Sequence, residues 1–242
     1  MAGSPLSIIA GALVGLGVAA GGYFIGTGYY DAHMGNRVVS VKGLSERNVT
    51  ADLAFWPIRF VATGNDLTEV QGKIRADAEA IRAFLGKYGF EDAGIELQSL
   101  QVTDVAAQPY RSGPIDNRFI ISQLLMLRSE EVEKVAEAAR SASELVEAGV
   151  ILSSDMGPSQ PIYLFKSLAE LKPEMLDEAT ARAREAAQSF AEDSDSKLGG
   201  IKRANQGVFQ ILARDQAPGI SESSQIAKRV RVVSSIDYFL VD

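Results

Sequence analysis

The chain has 242 residues, 46% of them hydrophobic and 23% charged, so it is long enough to bury a substantial core. Acidic residues outnumber basic ones by 31 to 24, and the net charge of -7 disfavours a nucleic-acid partner, which needs a basic surface. Cysteine is absent and His33 is the one histidine, which excludes disulfides, cysteine nucleophiles and any triad or metal site that needs several histidines in one chain.

The first segment, Leu6–Tyr30, contains 25 residues without a charge. As a helix it would be roughly 37 Å long, more than the ~30 Å hydrocarbon core of a bilayer. It predicts an uncleaved transmembrane anchor within residues 1–36 that makes the membrane one partner of the chain. A cleaved signal peptide is the alternative, because the small residues Val18, Ala19 and Ala20 precede Gly21.

Small residues recur along this segment at spacings of 4, 4, 3 and 4, which places them on one helical face. They are Gly11, Gly15, Ala19, Gly22 and Gly26. Such a stripe lets two helix backbones approach closely, so it predicts helix association. The basic residues that follow the segment leave its membrane orientation undecided.

Beyond residue 36 the pattern alternates between strands and helices, which predicts one continuous α+β domain over residues 37–242 with helices packed on mostly antiparallel sheet. The predicted strands are Val38–Gly43, Leu53–Thr63, Ile95–Ala107, Arg118–Arg128, Val150–Asp155, Ile162–Phe165, Ile201–Leu212 and Lys228–Val241. The predicted helices are 67–88 (capped by Asn65 or Asp66 and ended by Gly89), Glu130–Glu147 (capped by Ser129) and Pro173–Asp193.

Two features of the first predicted strands bear on function. Pro57 lies inside the second strand, which predicts a sheet edge or a bulge there. The segment GLSERN, residues 43–48, is predicted to be the turn before that strand. Ser45 has no plausible histidine partner, because His33 lies beside the apolar segment, so we predict a structural role for this turn.

No phosphate loop, nucleophile elbow or paired-carboxylate signature is present, and we predict no catalytic, cofactor-binding or metal-binding residues. Asp193 and Asp195 begin a D-x-D pattern, but Leu198 and Ala204 stand where a calcium loop needs glycine and an acid. An anion-binding surface could be formed by Arg182, Arg184, Lys202 and Arg203, but we favour ordinary solvation of surface residues as their explanation. Trp56 is predicted to be packed in the core.

The order of several segments resembles the SIMPL-domain proteins, a bacterial group that includes periplasmic immunogenic and oxidative-stress-defence proteins. The resemblance covers Val38–Val241 and rests on VSVKGLSERNVTADLAFWPIRF, GIELQSLQVTDVAAQPY, VEAGVILSSDM and EATARAREAAQSFAEDSDSKLGGI. The chain departs from the family pattern at Ala51, where a proline often stands, and at Ser45, where a glycine is usual.

The resemblance implies an α+β domain on the periplasmic side of the bacterial inner membrane, homo-oligomers that are sometimes ring-like, and a link to stress defence; it supplies no catalytic residues. We therefore predict a non-enzymatic, single-pass membrane-anchored protein that assembles with copies of itself. One alternative is an adaptor that captures a peptide, lipid or protein through strand edges or the loop Ala213–Gln225. Another is an enzyme that uses only carboxylates, lysine or arginine.

Overall fold

The structure is a computed structural model that describes residues 5–34, 37–107, 116–154 and 159–241, with side chains in the first helix described at residues 11 and 13–29. The chain divides into two compact units. The first consists of residues 1–45, 173–209 and 232–242, and the second of residues 46–172 and 210–231. The predicted boundary at residue 36 between an anchor and a domain stays a prediction.

The described elements confirm an α+β fold built on antiparallel strands. The helices are α1 (Pro5–Met34), α2 (Leu67–Lys87), α3 (Val132–Arg140), α4 (Ser143–Glu147) and α5 (Leu168–Asp193). The strands are β1 (Val38–Thr50), β2 (Leu53–Gly64), β3 (Ile95–Asp104), β4 (Phe119–Ser129), β5 (Ile151–Leu152), β6 (Ile162–Leu164), β7 (Lys197–Gln206), β8 (Gln210–Ala213) and β9 (Ala227–Val241).

The second unit is built on a five-stranded sheet in the order β3-β4-β2-β5, with β6 also paired to β2. Side chains at alternate positions of β2 face one side of the sheet, where α2 and α3 cover them. Trp56, Ile58 and Phe60 from this strand join Ile81 and Leu85 of α2 in the main hydrophobic core. This core stabilises the five-stranded sheet, and the candidate functional surfaces lie at the edges of that sheet.

The first unit packs α5 against β1, β9 and β7, which are neighbours in the other sheet in the order β1-β9-β7. Within the second unit, β8 pairs with the first part of β9. Every fourth residue on one side of α5 is fully or almost fully buried. These residues are Met175, Ala179, Ala183, Ala187 and Ala191. Because alanine side chains are short, the helix can lie close to β1, and a Cβ atom added at Gly43 would lie 1.8 Å from the Ala179 carbonyl oxygen. The glycine of β1 and the alanines of α5 together allow the strand and the helix to pack closely.

Several predicted elements are confirmed. β2 and α2 occupy the predicted ranges within one or two residues, and β3 and β4 form the predicted antiparallel hairpin. Asp66 caps α2 by accepting hydrogen bonds from the N–H groups of Thr68 and Glu69. Gly89 follows the helix with a φ of 83°, a left-handed conformation that favours glycine. The predicted loop between β3 and β4 lies largely outside the described residues.

The predicted turn at residues 43–48 is wrong, because β1 continues through it to Thr50. Its alternating buried positions extend through Ser45, whose hydroxyl group donates a 2.8 Å hydrogen bond to Glu178 Oε2. That bond satisfies the polar group that made the segment resemble a turn. Ala51 follows, and its N–H donates to the Ile226 carbonyl at 2.8 Å, a bond that proline could not make.

Three further predicted boundaries are corrected. The helix predicted over Glu130–Glu147 is two helices that break at Ser141 and Ala142. The strand predicted over Ile201–Leu212 is divided into β7 and β8 next to Gly207, where a Cβ atom would lie 2.3 Å from the Val233 carbonyl oxygen. α5 begins before the predicted Pro173, at Leu168.

The predicted transmembrane helix is also corrected. The uncharged segment does form one helix, α1. Within the side chains that the structure describes, however, no helix combines the length and the apolar character needed to cross a membrane.

Candidate functional site

The side of β2 that faces β5 and β6 is open at its centre. β6 pairs with residues 53–55 and β5 pairs with residues 60–61. Between them, residues 56–59 of β2 have no partner strand on this side among the described residues. The five-stranded sheet therefore contains a short internal edge.

Pro57 lies in this gap, and its position has a physical reason. The Ser153 N–H donates to the Arg59 carbonyl at 2.9 Å, so the backbone groups of Arg59 point towards the β5 side. Residues two apart in a strand direct their backbone groups to the same side, which places the nitrogen of Pro57 on the open side as well. Proline has no N–H to lose there. The predicted sheet edge or bulge is wrong, because β2 lies inside the sheet in unbroken register with β4, and Pro57 is accommodated by the gap between β5 and β6.

A cleft of about 560 Å³ lies beside the gap, between β2, α3 and the segments that lead out of β5 and into β6. This volume lies within the range typical of small-molecule sites. The described residues that line it are Trp56, Ile58, Arg59, Ala136, Ala139, Arg140, Ala142, Leu152, Ser153, Ser154, Ser159, Gln160, Pro161 and Tyr163.

Trp56 fixes the apolar floor of the cleft. Its indole Nε1 donates a 3.1 Å hydrogen bond to the Ser159 carbonyl, and its ring makes an edge contact with Phe84 at a centroid distance of 6.4 Å. The prediction that Trp56 is packed is confirmed, since the side chain is buried in the main core. It also borders the cleft, which its hydrophobicity alone did not indicate.

The polar groups of the cleft are cationic or neutral. Arg140 is exposed at the end of α3, and within the described part of the chain no carboxylate pairs with it. The Nε atom of Arg59 is buried and has no hydrogen-bond partner among the described residues. Burial raises the pKa of the Tyr163 hydroxyl, so this group remains a neutral hydrogen-bond donor near neutral pH. Together these groups suit an anionic or hydrogen-bond-accepting ligand.

A buried lysine supports the strand at one wall of the cleft. Lys228 Nζ donates to the Tyr163 carbonyl at 2.8 Å and to the Glu222 carbonyl at 2.5 Å, and it also contacts the Glu222 carboxylate. The sequence offered a signal for this residue: Lys228, Val230 and Val232 alternate along β9, and all three side chains are completely buried. A lysine in register with core valines indicates a buried ion pair.

The loop Ala213–Gln225, which was predicted as a possible capture loop, is closed at its base. The Gln225 side-chain amide donates to the Asp215 carbonyl at 2.8 Å, and Arg214 forms an ion pair with Asp215. Glu222, within the loop, binds Lys228. The capture role itself stays a prediction.

Ser45 and its neighbours have identified partners. Glu178, which accepts from the Ser45 hydroxyl, also binds Arg182 at 2.7 Å. Glu46 lies 3.7 Å from the guanidinium group of Arg231. Ser45 is 1% exposed, so its hydroxyl group joins β1 to α5 and is closed to solvent.

The basic residues once considered as an anion-binding surface are mostly engaged elsewhere. Arg182 binds Glu178, Arg203 Nε lies 3.9 Å from the Asp237 carboxylate, and Lys202 lies over the Phe239 ring. The structure therefore does not bring them together into a site. As for metals, no group of three or more histidine and acidic side chains in the described ranges is arranged to hold an ion.

The predicted helix-association residues lie on α1. A Cβ atom added at any glycine of this stripe would meet nothing within 4 Å. The stripe is therefore uncovered by described atoms, and its role in helix association stays a prediction. The stripe residues are Gly11, Gly15, Ala19, Gly22 and Gly26.

The edge strand β3 forms a second candidate surface. Leu97, Leu100 and Val102 are 44%, 56% and 51% exposed. Their partners in β4 include Leu125 and Ile121, which belong to the core, so the three side chains lie on the core face of the sheet. A bulge between Leu97 and Leu100 keeps them on that face. We call these three residues the β3 apolar row.

The two antiparallel sheets, the alanine-faced helix α5 and the β3–β4 hairpin define an α+β class of protein without a recognisable catalytic constellation among the described residues. The family profile SIMPL, described as a protein of unknown function (DUF541), matches residues 39–234. The chain belongs to the SIMPL family, which confirms the resemblance seen in its sequence. No curated protein matches the chain.

Proposed function

We propose that the SIMPL domain of this chain is a non-enzymatic interaction module that self-associates by pairing the edge strand β3 of two copies. The observation that carries the proposal is the β3 apolar row, which lies exposed at a sheet edge. An exposed apolar edge strand presents unpaired backbone groups and is a template for pairing with another strand.

A comparison of edge strands supports β3 as the pairing strand. Proteins protect their edges with charged residues, especially lysine, and with proline. β1 contains Lys42 and Arg47, and β7 contains three basic residues. β3, with the sequence IELQSLQVTD, contains no lysine, arginine or proline. Its two charged residues, Glu96 and Asp104, lie at or near the ends of the strand, so its centre lacks the residues that oppose pairing.

The sequence of β3 also suits pairing with itself. In an antiparallel arrangement with Leu97 opposite Val102 of the second copy, the apolar rows of the two strands lie side by side on one face. The same register places Glu96 opposite Thr103, so no two acids face each other. The sheet would then continue from one copy to the next and extend its apolar face.

The mass of the full-length protein tests this proposal, measured by sedimentation equilibrium in the wild type and in Leu100→Lys. The added charge lies within the proposed interface, so we expect at least a tenfold weaker association. Val208→Lys is the matched control, because Val208 is an exposed apolar residue outside β3. A wild-type monomer, or equal association of Leu100→Lys and wild type, contradicts the proposal.

The family resemblance alone supports placing this assembly on the periplasmic side of the bacterial envelope with a link to stress defence. Fractionation of cells that express the chain tests the location. A binding role is a second candidate function, and the observation that favours it is the cleft beside β2, with its aromatic floor and two arginines.

A further inference from the structure

We propose that the cleft beside β2 binds a small amphipathic carboxylate, with its apolar body on the floor of the cleft and its carboxylate group at Arg140. This binding is independent of pairing through β3, because the cleft and the β3 apolar row share no residue. The ligand class follows from the volume, the floor and the rim of the cleft.

The floor accommodates an apolar chain or ring. Trp56, Ile58 and Leu152 supply hydrocarbon surface from the sheet. The side of α3 that lines the cleft presents small residues, Ala136 and Ala139, which leave the space open. With about 560 Å³, the cleft can hold a ligand of eight to ten non-hydrogen atoms with room to spare. Removing such a ligand's apolar surface from water favours binding by about 25 cal/mol per Å².

The polar residues at the opening of the cleft, which we call its rim, favour a ligand with a carboxylate group. A guanidinium group forms two parallel hydrogen bonds with a carboxylate, and Arg140 is exposed at the rim for this contact. Arg59 also borders the cleft, but it alternates with Ile58 along β2 and lines a second, smaller cavity as well, so Arg140 is the main cation for this contact. No acidic residue is present among the described residues that line it. Glu133 of α3 is near enough to act on Tyr163 electrostatically, and Arg140 opposes that charge.

Neutral donors complete the rim. Ser153 and Ser154, after β5, and Ser159 and Gln160, before β6, line the cleft and carry polar side chains. The Tyr163 hydroxyl, which is neutral at its ordinary pKa and whose pKa burial raises further, adds another donor. An alkylammonium group would face Arg140 without a counter-charge among the described residues that line the cleft. The cleft therefore discriminates by charge as well as by shape.

Three probes with the same eight-carbon chain test the proposal: octanoate, octanol and octylammonium. Isothermal titration calorimetry of the full-length protein gives affinity and stoichiometry. Trp56 is the single tryptophan of the chain and borders the cleft, so its fluorescence reports on binding there. We expect one octanoate per chain, bound roughly tenfold more tightly than octanol, since a hydrogen bond to a charged group adds to the apolar contact. Octylammonium should bind most weakly.

Three variants locate the binding. Arg140→Gln should weaken octanoate about tenfold and leave octanol unchanged. Arg75→Gln is the matched control, because Arg75 is exposed on α2 and does not line the cleft. Ala139→Leu places a larger side chain in the cleft and should weaken both probes. Thermal unfolding verifies that each variant is folded.

Two results would overturn the proposal. The first is the absence of calorimetric binding of octanoate to the wild-type protein at millimolar concentration, or equal binding of all three probes. The second is an octanoate affinity that Arg140→Gln leaves unchanged or that Arg75→Gln lowers equally. Self-association fails by a separate criterion, the mass of Leu100→Lys, so the two proposals can fail independently.

Discussion

Lys228 Nζ lies 2.5 Å from Glu222 Oε1, and the lysine side chain is completely buried while the glutamate side chain is 35% exposed. Removing the lysine and removing the glutamate should therefore change the free energy of unfolding by different amounts. Water can reach Glu222 if the lysine is lost, but it cannot reach Lys228 if the carboxylate is lost. A buried charge without its counter-charge is strongly destabilising.

We expect Glu222→Gln to lower the free energy of unfolding by up to about 3 kcal/mol, because it leaves the ammonium group buried. Lys228→Met removes the buried charge but leaves the Tyr163 and Glu222 carbonyls without this donor, so it should cost about 2 kcal/mol. Urea unfolding followed by Trp56 fluorescence measures both, since Trp56 lies in the same unit. A larger loss for Lys228→Met than for Glu222→Gln would show that the pair does not behave as a buried charge with a hydrated partner.

Gly43→Ala should destabilise the first unit. A Cβ atom at this position would lie 1.8 Å from the Ala179 carbonyl oxygen and 2.6 Å from the Ala183 nitrogen, and helix backbone cannot move aside cheaply. We expect a loss of about 2–3 kcal/mol, measured by urea unfolding with circular dichroism. Gly200→Ala is the control, because a Cβ atom there meets nothing within 4 Å. Equal stability of the two variants would contradict the close packing of β1 on α5.

Asp52 should contribute a pH-dependent part of the stability. Burial opposes ionisation, but the N–H groups of Lys166 and Ser167, at 2.7 and 2.9 Å, donate to the carboxylate and hold its pKa below the usual value. A lowered folded-state pKa means that the stabilisation is present above the unfolded pKa of about 3.9 and is lost as the pH falls through the folded pKa.

Asp52→Ala should therefore lower the free energy of unfolding by about 1–2 kcal/mol at pH 7. The difference from the wild type should shrink as the pH falls below about 4, where the wild-type carboxylate also becomes protonated. Urea unfolding at several pH values measures it. A difference that stays constant from pH 7 to pH 3 would show that the ionised carboxylate contributes nothing.

The small-residue stripe of α1 predicts a second, separable mode of association. Gly15→Leu places a bulky side chain on the stripe, whereas Gly17→Leu makes the same change about 160° from its centre at 3.6 residues per turn. In a Leu100→Lys background, which removes pairing through β3, we expect energy transfer between labelled chains to fall for Gly15→Leu only. Equal effects of both variants would mean that the stripe has no special role.

The sequence predicted correctly those elements that are determined by residues close to one another in the chain. The alternation of β-branched and aromatic residues located β2, and the helical spacing with the Asp66 cap located α2. Pro57 correctly marked a position where β2 lacks a partner strand, although the strand itself lies inside the sheet. In each case the side chains that carry the pattern also make the contacts that stabilise the element.

The errors occurred where distant residues decide the structure. Ser45 continues a strand because Glu178, far along the chain, accepts its hydrogen bond. β7 and β8 separate at Gly207 because the Val233 backbone approaches closely there. The cleft is formed by segments that are distant in the chain and meet only in the folded structure, so no local sequence pattern predicts it. The alternation of Lys228 with buried valines could have identified one residue that stabilises its wall.

Cross-linking through single cysteines tests the central claim, self-association through β3, most directly, since the natural chain has no cysteine. With Leu97 opposite Val102 of the second copy, the two copies of residue 99 are adjacent, and the two copies of residue 103 are about 23 Å apart at 3.3 Å per residue. The account predicts that a short bismaleimide converts Ser99→Cys to a covalent dimer and leaves Thr103→Cys largely monomeric. Equal yields from the two variants, or no dimer from Ser99→Cys, would contradict it.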